Sequence, residues 1–192
     1  MTIDLPPLNI ESVEVTLIGD APLICHNWSR KAKQQMLDKQ MKLPRQAKAA
    51  KVPEEDFAAS LYPHPDGGYG FPAVGFKQAG VAACGQVEGI SKVAARAAFH
   101  VVGGFVKIEG EPTMREDMVR IAMGVADIRY RAEFKQWRAR LLIRYNASAL
   151  SAAQIIHLLN VAGFGIGVGE WRPQRNGSYG LFHVATGEEA RT

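Results

Sequence analysis

Between Trp137 and Tyr145 the chain reads WRARLLIRY, and few folds accommodate that pattern. Successive side chains of an extended strand point to opposite sides. Trp137, Ala139, Leu141, Ile143 and Tyr145 therefore share one face, while Arg138, Arg140 and Arg144 share the other with Leu142. Three guanidinium groups cannot be turned into an apolar core, because unpaired buried charge is prohibitive. The strand belongs to a sheet that packs one face on a core and leaves the other to water, carboxylates or phosphates, as antiparallel sheets allow.

Other segments supply that core. ESVEVTLIGDAPLICH alternates, with Val13, Val15 and Leu17 opposite Glu14 and Thr16, until Gly19–Pro22 turns it. Phe71-Pro72 leads into a helical pattern containing Phe76, Ala79, Ala82, Ala83 and Val87, and a second helical piece spans 91–98. FHVVGGFVKIEG reads as a strand bulged or bent at Gly103-Gly104. Ser151 and Gln154 form a capping-box pattern that opens a helix with Ile155, Leu158, Leu159 and Ala162 on its stripe, and Gly163 is placed to end it. Tyr179 to Val184 reads as the last strand. The order predicts an α+β fold with a ferredoxin-like (RNA-recognition-type) β-α-β-β-α-β core, an antiparallel sheet and both helices on one face. The 192 residues fit one domain, 1–192. Two insertions are expected. Residues 29–72 give a basic helix and an Asp66-Gly67 hairpin; in 111–136, Met118 to Met123 reads as a strand and ADIRYRAEFKQW as extended or loop-like and basic.

Residues 163–182, GFGIGVGEWRPQRNGSYGLF, hold six of the nineteen glycines. Ordering so much glycine costs backbone entropy, so the fold must gain from it. The gain is either close packing of backbone between helix and strand, or close approach of a phosphate-bearing ligand. No P-loop lysine and hydroxyl follow, and the alternation of Gly163, Gly165, Gly167 and Gly169 differs from GxGxxG, which argues against a mononucleotide or dinucleotide pocket. Arg172 and Arg175 add forks suited to phosphate oxygens, and Trp171 between charged neighbours is a stacking candidate.

The net charge is +4. From Arg30 to Lys51 there are eight lysines or arginines and one acid, Asp38. That run is either a solvated segment or a basic flap for a phosphate backbone. Cys25 and Cys84 have neither disulfide nor zinc spacing, and no cofactor or metal motif is present. No apolar run is long enough to span a membrane and the start lacks a secretory pattern, so a cytoplasmic protein is expected.

With AGFGIGVGEWRPQRNGSYGLFHV following the 151–162 helix, the chain resembles the RAMP superfamily of CRISPR RNA-binding proteins. Within it, the likeness is to the backbone subunit that lines up along a guide RNA in effector complexes. Element order carries the resemblance over most of the chain, and this segment carries it as a motif. The chain is short for such a subunit, its EWRPQRNGSYG extension is unusual, and a phage or mobile element could encode a relative this compact. The resemblance implies a non-catalytic protein that coats single-stranded RNA, or less favourably DNA, and self-assembles into a helical or ring-like homo-oligomer.

Combining that implication with the charge pattern, the residues expected at nucleic acid are Arg30, Lys31, Lys33, Arg129, Arg131, Arg138, Arg140, Arg144, Gly165, Gly167, Gly169, Trp171, Arg172 and Arg175. In RNA-cleaving members a histidine just after the first strand acts as general base. His26 holds that place, which makes a metal-independent endoribonuclease the rival reading. A phage structural or inhibitory protein, whose loop contacts another protein, is the third.

Overall fold

A computed structural model describes residues 7–28, 30–44, 50–120 and 126–190, and of residues 30–32 the backbone. The first alternating segment forms β1 (Ile10–Gly19), with Val15 and Leu17 buried and Glu14 exposed. A turn then sends the chain into another sheet as β2 (Leu23–Cys25), buried throughout. The basic run supplies α1 (Arg30–Gln40). Helix α2 (Pro53–Ser60) opens on a proline followed by Glu54, Glu55 and Asp56, where the helix dipole favours acids. Strands β3 (Tyr62–Pro63) and β4 (Tyr69–Pro72) flank the Asp66-Gly67 turn at the sheet edge, where their prolines are tolerated.

Next come α3 (Ala73–Ala83) and α4 (Lys92–Ala98), the latter capped by Ser91, whose hydroxyl accepts from the Ala94 amide. Strands β5 (Phe99–Val101) and β6 (Phe105–Glu109) are separated at Gly103-Gly104, and the Gly104 carbonyl accepts the Ala73 amide at 3.1 Å. The 111–136 segment holds β7 (Pro112–Arg120) and β8 (Ala126–Phe134), paired along their whole length. Residues 121–125 between them lie outside the described residues, and with them the second half of the Met118–Met123 expectation, whose first half belongs to β7. The chain ends through β9 (Arg138–Asn146), α5 (Ala152–Gly165) and β10 (Phe182–Val184).

The strands form two antiparallel sheets. The larger runs β10-β1-β9-β6-β4-β3, with β5 also on β9; the smaller runs β2-β8-β7. Helices α3 and α5 pack on each other and against β5, β6 and β10. Ala139, Leu141, Ile143 and Tyr145 of β9 are buried, whereas Arg140, Leu142 and Arg144 are exposed. The fold is thus α+β, and the alternation of β9 divides inside from outside. Both capping-box bonds at Ser151 and Gln154 are present. Among the described residues no helix is long and apolar enough to cross a membrane.

Two boundaries correct the sequence reading. The last strand begins at Phe182, because Gly180 at φ +64° donates its amide to Pro22 and turns the chain before it can pair. Gly163 does not end α5. The helix continues to Gly165, and Gly167 at φ +68° makes the turn. Gly163 is glycine because a Cβ there would overlap the carbonyl oxygen of Phe182. Alanine would gain about 1 kcal/mol of helix propensity, but overpacking against backbone costs about 1–3 kcal/mol or more, so the clash wins. Gly163→Ala is expected to lower unfolding free energy by about 2 kcal/mol in urea titrations. Gly104→Ala, in open space at a normal φ, is expected to stay within about 0.5 kcal/mol of the parent.

Candidate nucleic-acid interface

The uncovered face of the larger sheet is built in register. Ser12, Thr16 and Ile18 of β1 lie opposite Arg144, Arg140 and Arg138 of β9. On the other side of β9, His100 lies opposite Arg144 and Glu109 opposite Arg138. Arg140 Nε sits 3.6 Å from Glu14 Oε1, and both side chains are more than half exposed. Such a pair is worth under about 1 kcal/mol and yields readily to another anion. Arg138 and Arg144 make no ion pair with any described residue, and Lys107 is exposed on the same face.

Apart from this face, a cleft of about 480 Å³ lies where the start of α3 meets the glycine-rich segment and the end of β2. Its polar rim includes His26, Tyr62, Gln78, Glu170 and Arg172. His26 Nδ1 is 3.4 Å from Glu170 Oε1, and the Tyr62 hydroxyl donates to the His26 carbonyl at 3.0 Å. The hydrogen bond with His26 chiefly holds the Glu170 carboxyl below its ordinary value of 4.5, helped by Arg131 and Arg172 and opposed by partial burial. Burial, with Cys25 and Glu170 nearby, pushes the Tyr62 phenol up to about 12. Burial likewise pushes the Cys25 thiol up to about 12, so it has little thiolate character. Glu170 and Tyr62 were not legible as partners of His26. Glu170 is 144 residues away in sequence, and the only hint was an acid beside Trp171 in the glycine segment. Among the described residues no cluster of three or more His, Cys, Asp or Glu is arranged for a metal ion.

The β7–β8 hairpin accounts for the expectation at Arg129 and Arg131. Arg115 lies directly opposite Arg131, a like-charge pairing that destabilises by itself. It is relieved by carboxylates. Arg115 reaches Asp117 and Glu133 at 2.8 Å each, and Arg131 reaches Asp117 at 3.4 Å and Glu170 at 4.0 Å. Arg131 is 3 % exposed, so a phosphate backbone cannot meet it; this corrects the sequence assignment. Its Nε has no hydrogen-bond partner among the described residues. Arg129 is half-buried, its Nε 3.7 Å from Asp127.

The glycine segment is also more internal than expected. The amides of Gly167, Val168 and Glu170 donate to Ala162, Gly180 and Ile24 carbonyls. Gly167 is buried, Gly169 faces the Ile24 carbonyl at a distance that leaves no room for a side chain, and Gly165 packs against the end of the Gln86 side chain. An open phosphate cradle needs free amides, so packing explains these glycines better. Arg172 donates to the Gly169 carbonyl at 2.8 Å and to Gln174 at 3.3 Å, which staples the loop. Trp171, 40 % exposed at φ +54°, is held in a conformation that few bulky residues adopt. Arg175 and Lys33 are exposed, and the side chains of Arg30 and Lys31 lie outside the described residues.

No protein-family model and no curated protein matches the chain. Among solved structures, the crystal structure of Cmr6 from Pyrococcus furiosus is similar to it over 93 % of this chain and 100 % of that one, at a TM-score of 0.48 and 7 % identity.

Two outcomes follow from the ion-pair geometry. Arg131→Met is expected to cost about 2 kcal/mol in chemical denaturation, because Asp117 keeps only Arg115 as a partner, and to leave oligonucleotide affinity unchanged. Glu170 titrates lower in the folded chain than in the unfolded one. Its contribution to stability is therefore present above the unfolded value and lost as pH falls through the folded value. Glu170→Gln is expected to flatten the decline in melting temperature between about pH 5 and about pH 3.

Proposed function

We propose that the chain binds single-stranded nucleic acid, RNA in preference to DNA, across the uncovered sheet face, without catalysis, with copies assembling along the strand in the cytoplasm. The observation that supports this best is the row Arg138, Arg140 and Arg144. Arg140 and Arg144 stand exposed and Arg138 half-buried on a face that none of the described helices covers, and two of the three lack a carboxylate partner among the described residues. The path β1, α3, β5/β6, β9, α5, β10, with β1 and β9 central, supports a ferredoxin-like reading, and with it the RAMP-like one. Trp28 and Trp171 are exposed and offer stacking surfaces.

One observation favours a second reading. The His26–Glu170 pair in the cleft has the composition of an acid–base dyad, in which a carboxylate orients an imidazole, and this suits a metal-independent endoribonuclease. Hairpin RNA cleaved in EDTA, with cleavage abolished by His26→Ala and by Glu170→Gln, would favour that reading; intact RNA favours binding alone.

The binding reading is tested by titrating a fluorescent single-stranded oligonucleotide at several salt concentrations. Replacing Arg138, Arg140 and Arg144 together by alanine is expected to weaken binding for every sequence tried. It is also expected to lower the slope of log affinity against log salt by about 2, since each single-strand phosphate contact contributes about 0.7. An unchanged slope overturns the assignment of this face.

A further inference from the structure

At the free margin of the same face, Lys77 of α3 reaches around to His100 of β5. Its Nζ lies 2.9 Å from His100 Nδ1 and 2.9 Å from the Arg96 carbonyl oxygen. An ammonium group has three donors and no acceptor, so Nδ1 must accept from it. With Nδ1 accepting, the ring's donor is Nε2–H. Two of the three ammonium donors have partners, which leaves one. Arg144, directly opposite His100, adds a guanidinium that has no ion pair among the described residues. Lys77, His100 and Arg144 thus offer only donors, and no carboxylate forms an ion pair with either cation among the described residues.

A set of donors without acceptors is complementary to an oxyanion, whose oxygens only accept. We propose that Lys77, His100 and Arg144 form a phosphate site, with Lys77 fixing the tautomer that turns His100 into a donor. Partial desolvation lowers the Lys77 pKa, and a bound anion would offset that cost. The neighbouring cations differ in their surroundings. Arg140 has Glu14 beside it and Arg138 has Glu109 in register, so a phosphate displaces less at Arg144. The inference rests on the proposed strand binding only for the source of the phosphate, which is either a backbone phosphodiester or a terminal phosphomonoester.

The test follows the side-chain resonances of His100 in the full chain while sodium pyrophosphate is added at constant ionic strength. Binding is then measured for one oligonucleotide ending in a 5′-hydroxyl and for the same oligonucleotide ending in a 5′-phosphate. The His100 signals are expected to shift saturably, and the imidazoles of His64 and His157 to stay still. Lys77→Gln is expected to weaken oligonucleotide binding about tenfold and to lower the salt slope by about 0.7. Lys77→Arg restores the slope, and His100→Thr weakens binding while moving the slope little, since a neutral donor releases no counterion. Equal losses for both oligonucleotides identify the backbone as the source, and a loss confined to the phosphorylated one identifies the terminus. A still His100 together with unchanged affinities in Lys77→Gln and His100→Thr overturns the site. If pyrophosphate shifts His100 but neither oligonucleotide binds, the strand-binding reading fails and the phosphate site stands.

Discussion

The contact on which the remaining structure depends is that of backbone against backbone in the glycine-rich segment. Cβ atoms at Gly163, Gly177 and Gly180 would overlap the carbonyl oxygens of Phe182, Trp171 and Val168, and one at Gly169 would lie 2.6 Å from that of Ile24. At these four points peptide groups pack with no side chain between them. That closeness lets β10 lie beside α5, and it lets the Glu170 amide donate to Ile24 at 3.0 Å. The bond to Ile24 carries the Glu170 side chain to the end of β2, where His26 stands. The cleft and its acid–imidazole pair are thus consequences of glycine packing two sheets and a helix together.

The cations divide into two populations with different energetics. Arg115 and Arg131 lie inside or against the hairpin, and each is met by two carboxylates; Arg115 also lies 4.7 Å from the centre of the Tyr179 ring. Leaving either of these charges unpaired in a low-dielectric surrounding would be costly, so their acids are structural necessities. Arg144, Lys107 and Arg175 lie in water and Arg138 at its edge, where a missing partner costs little. Charge in the first population holds β7, β8 and the glycine segment together, and charge in the second remains available to a polyanion.

The legibility of the sequence divides along the same line. Wherever one face of a strand is apolar, as at Val15-Leu17 or Ala139-Leu141-Ile143, period-two alternation revealed both the strand and its inner side. In β7 and β8 one face of the strand is instead an array of Arg115, Asp117, Arg131 and Glu133, so a hydrophobicity count finds only the short Met118–Met123 pattern and leaves ADIRYRAEFKQW extended or loop-like and basic. The pairing that makes those charges tolerable acts across the two strands, at separations of 14 and 18 residues, and no local pattern encodes it. The glycine segment failed differently. Glycine marks where the chain must approach something closely, but it does not say whether that neighbour is a phosphate or a carbonyl of the same chain. Its C-terminal glycine, Gly180, also shortened the last strand by turning the backbone before β10.

The cleft and the sheet face differ in charge because of Glu170. With its pKa held low by His26 and two arginines, Glu170 is an anion at neutral pH and opposes a bare phosphate in the cleft. Arg172, the cation that could compensate, already donates to Gly169 and Gln174. The sheet face has the opposite balance, with Arg138, Arg140, Arg144 and Lys107 against Glu14 and Glu109. On the strand-binding proposal the phosphates belong to the face, and the cleft is left to groups other than a phosphate.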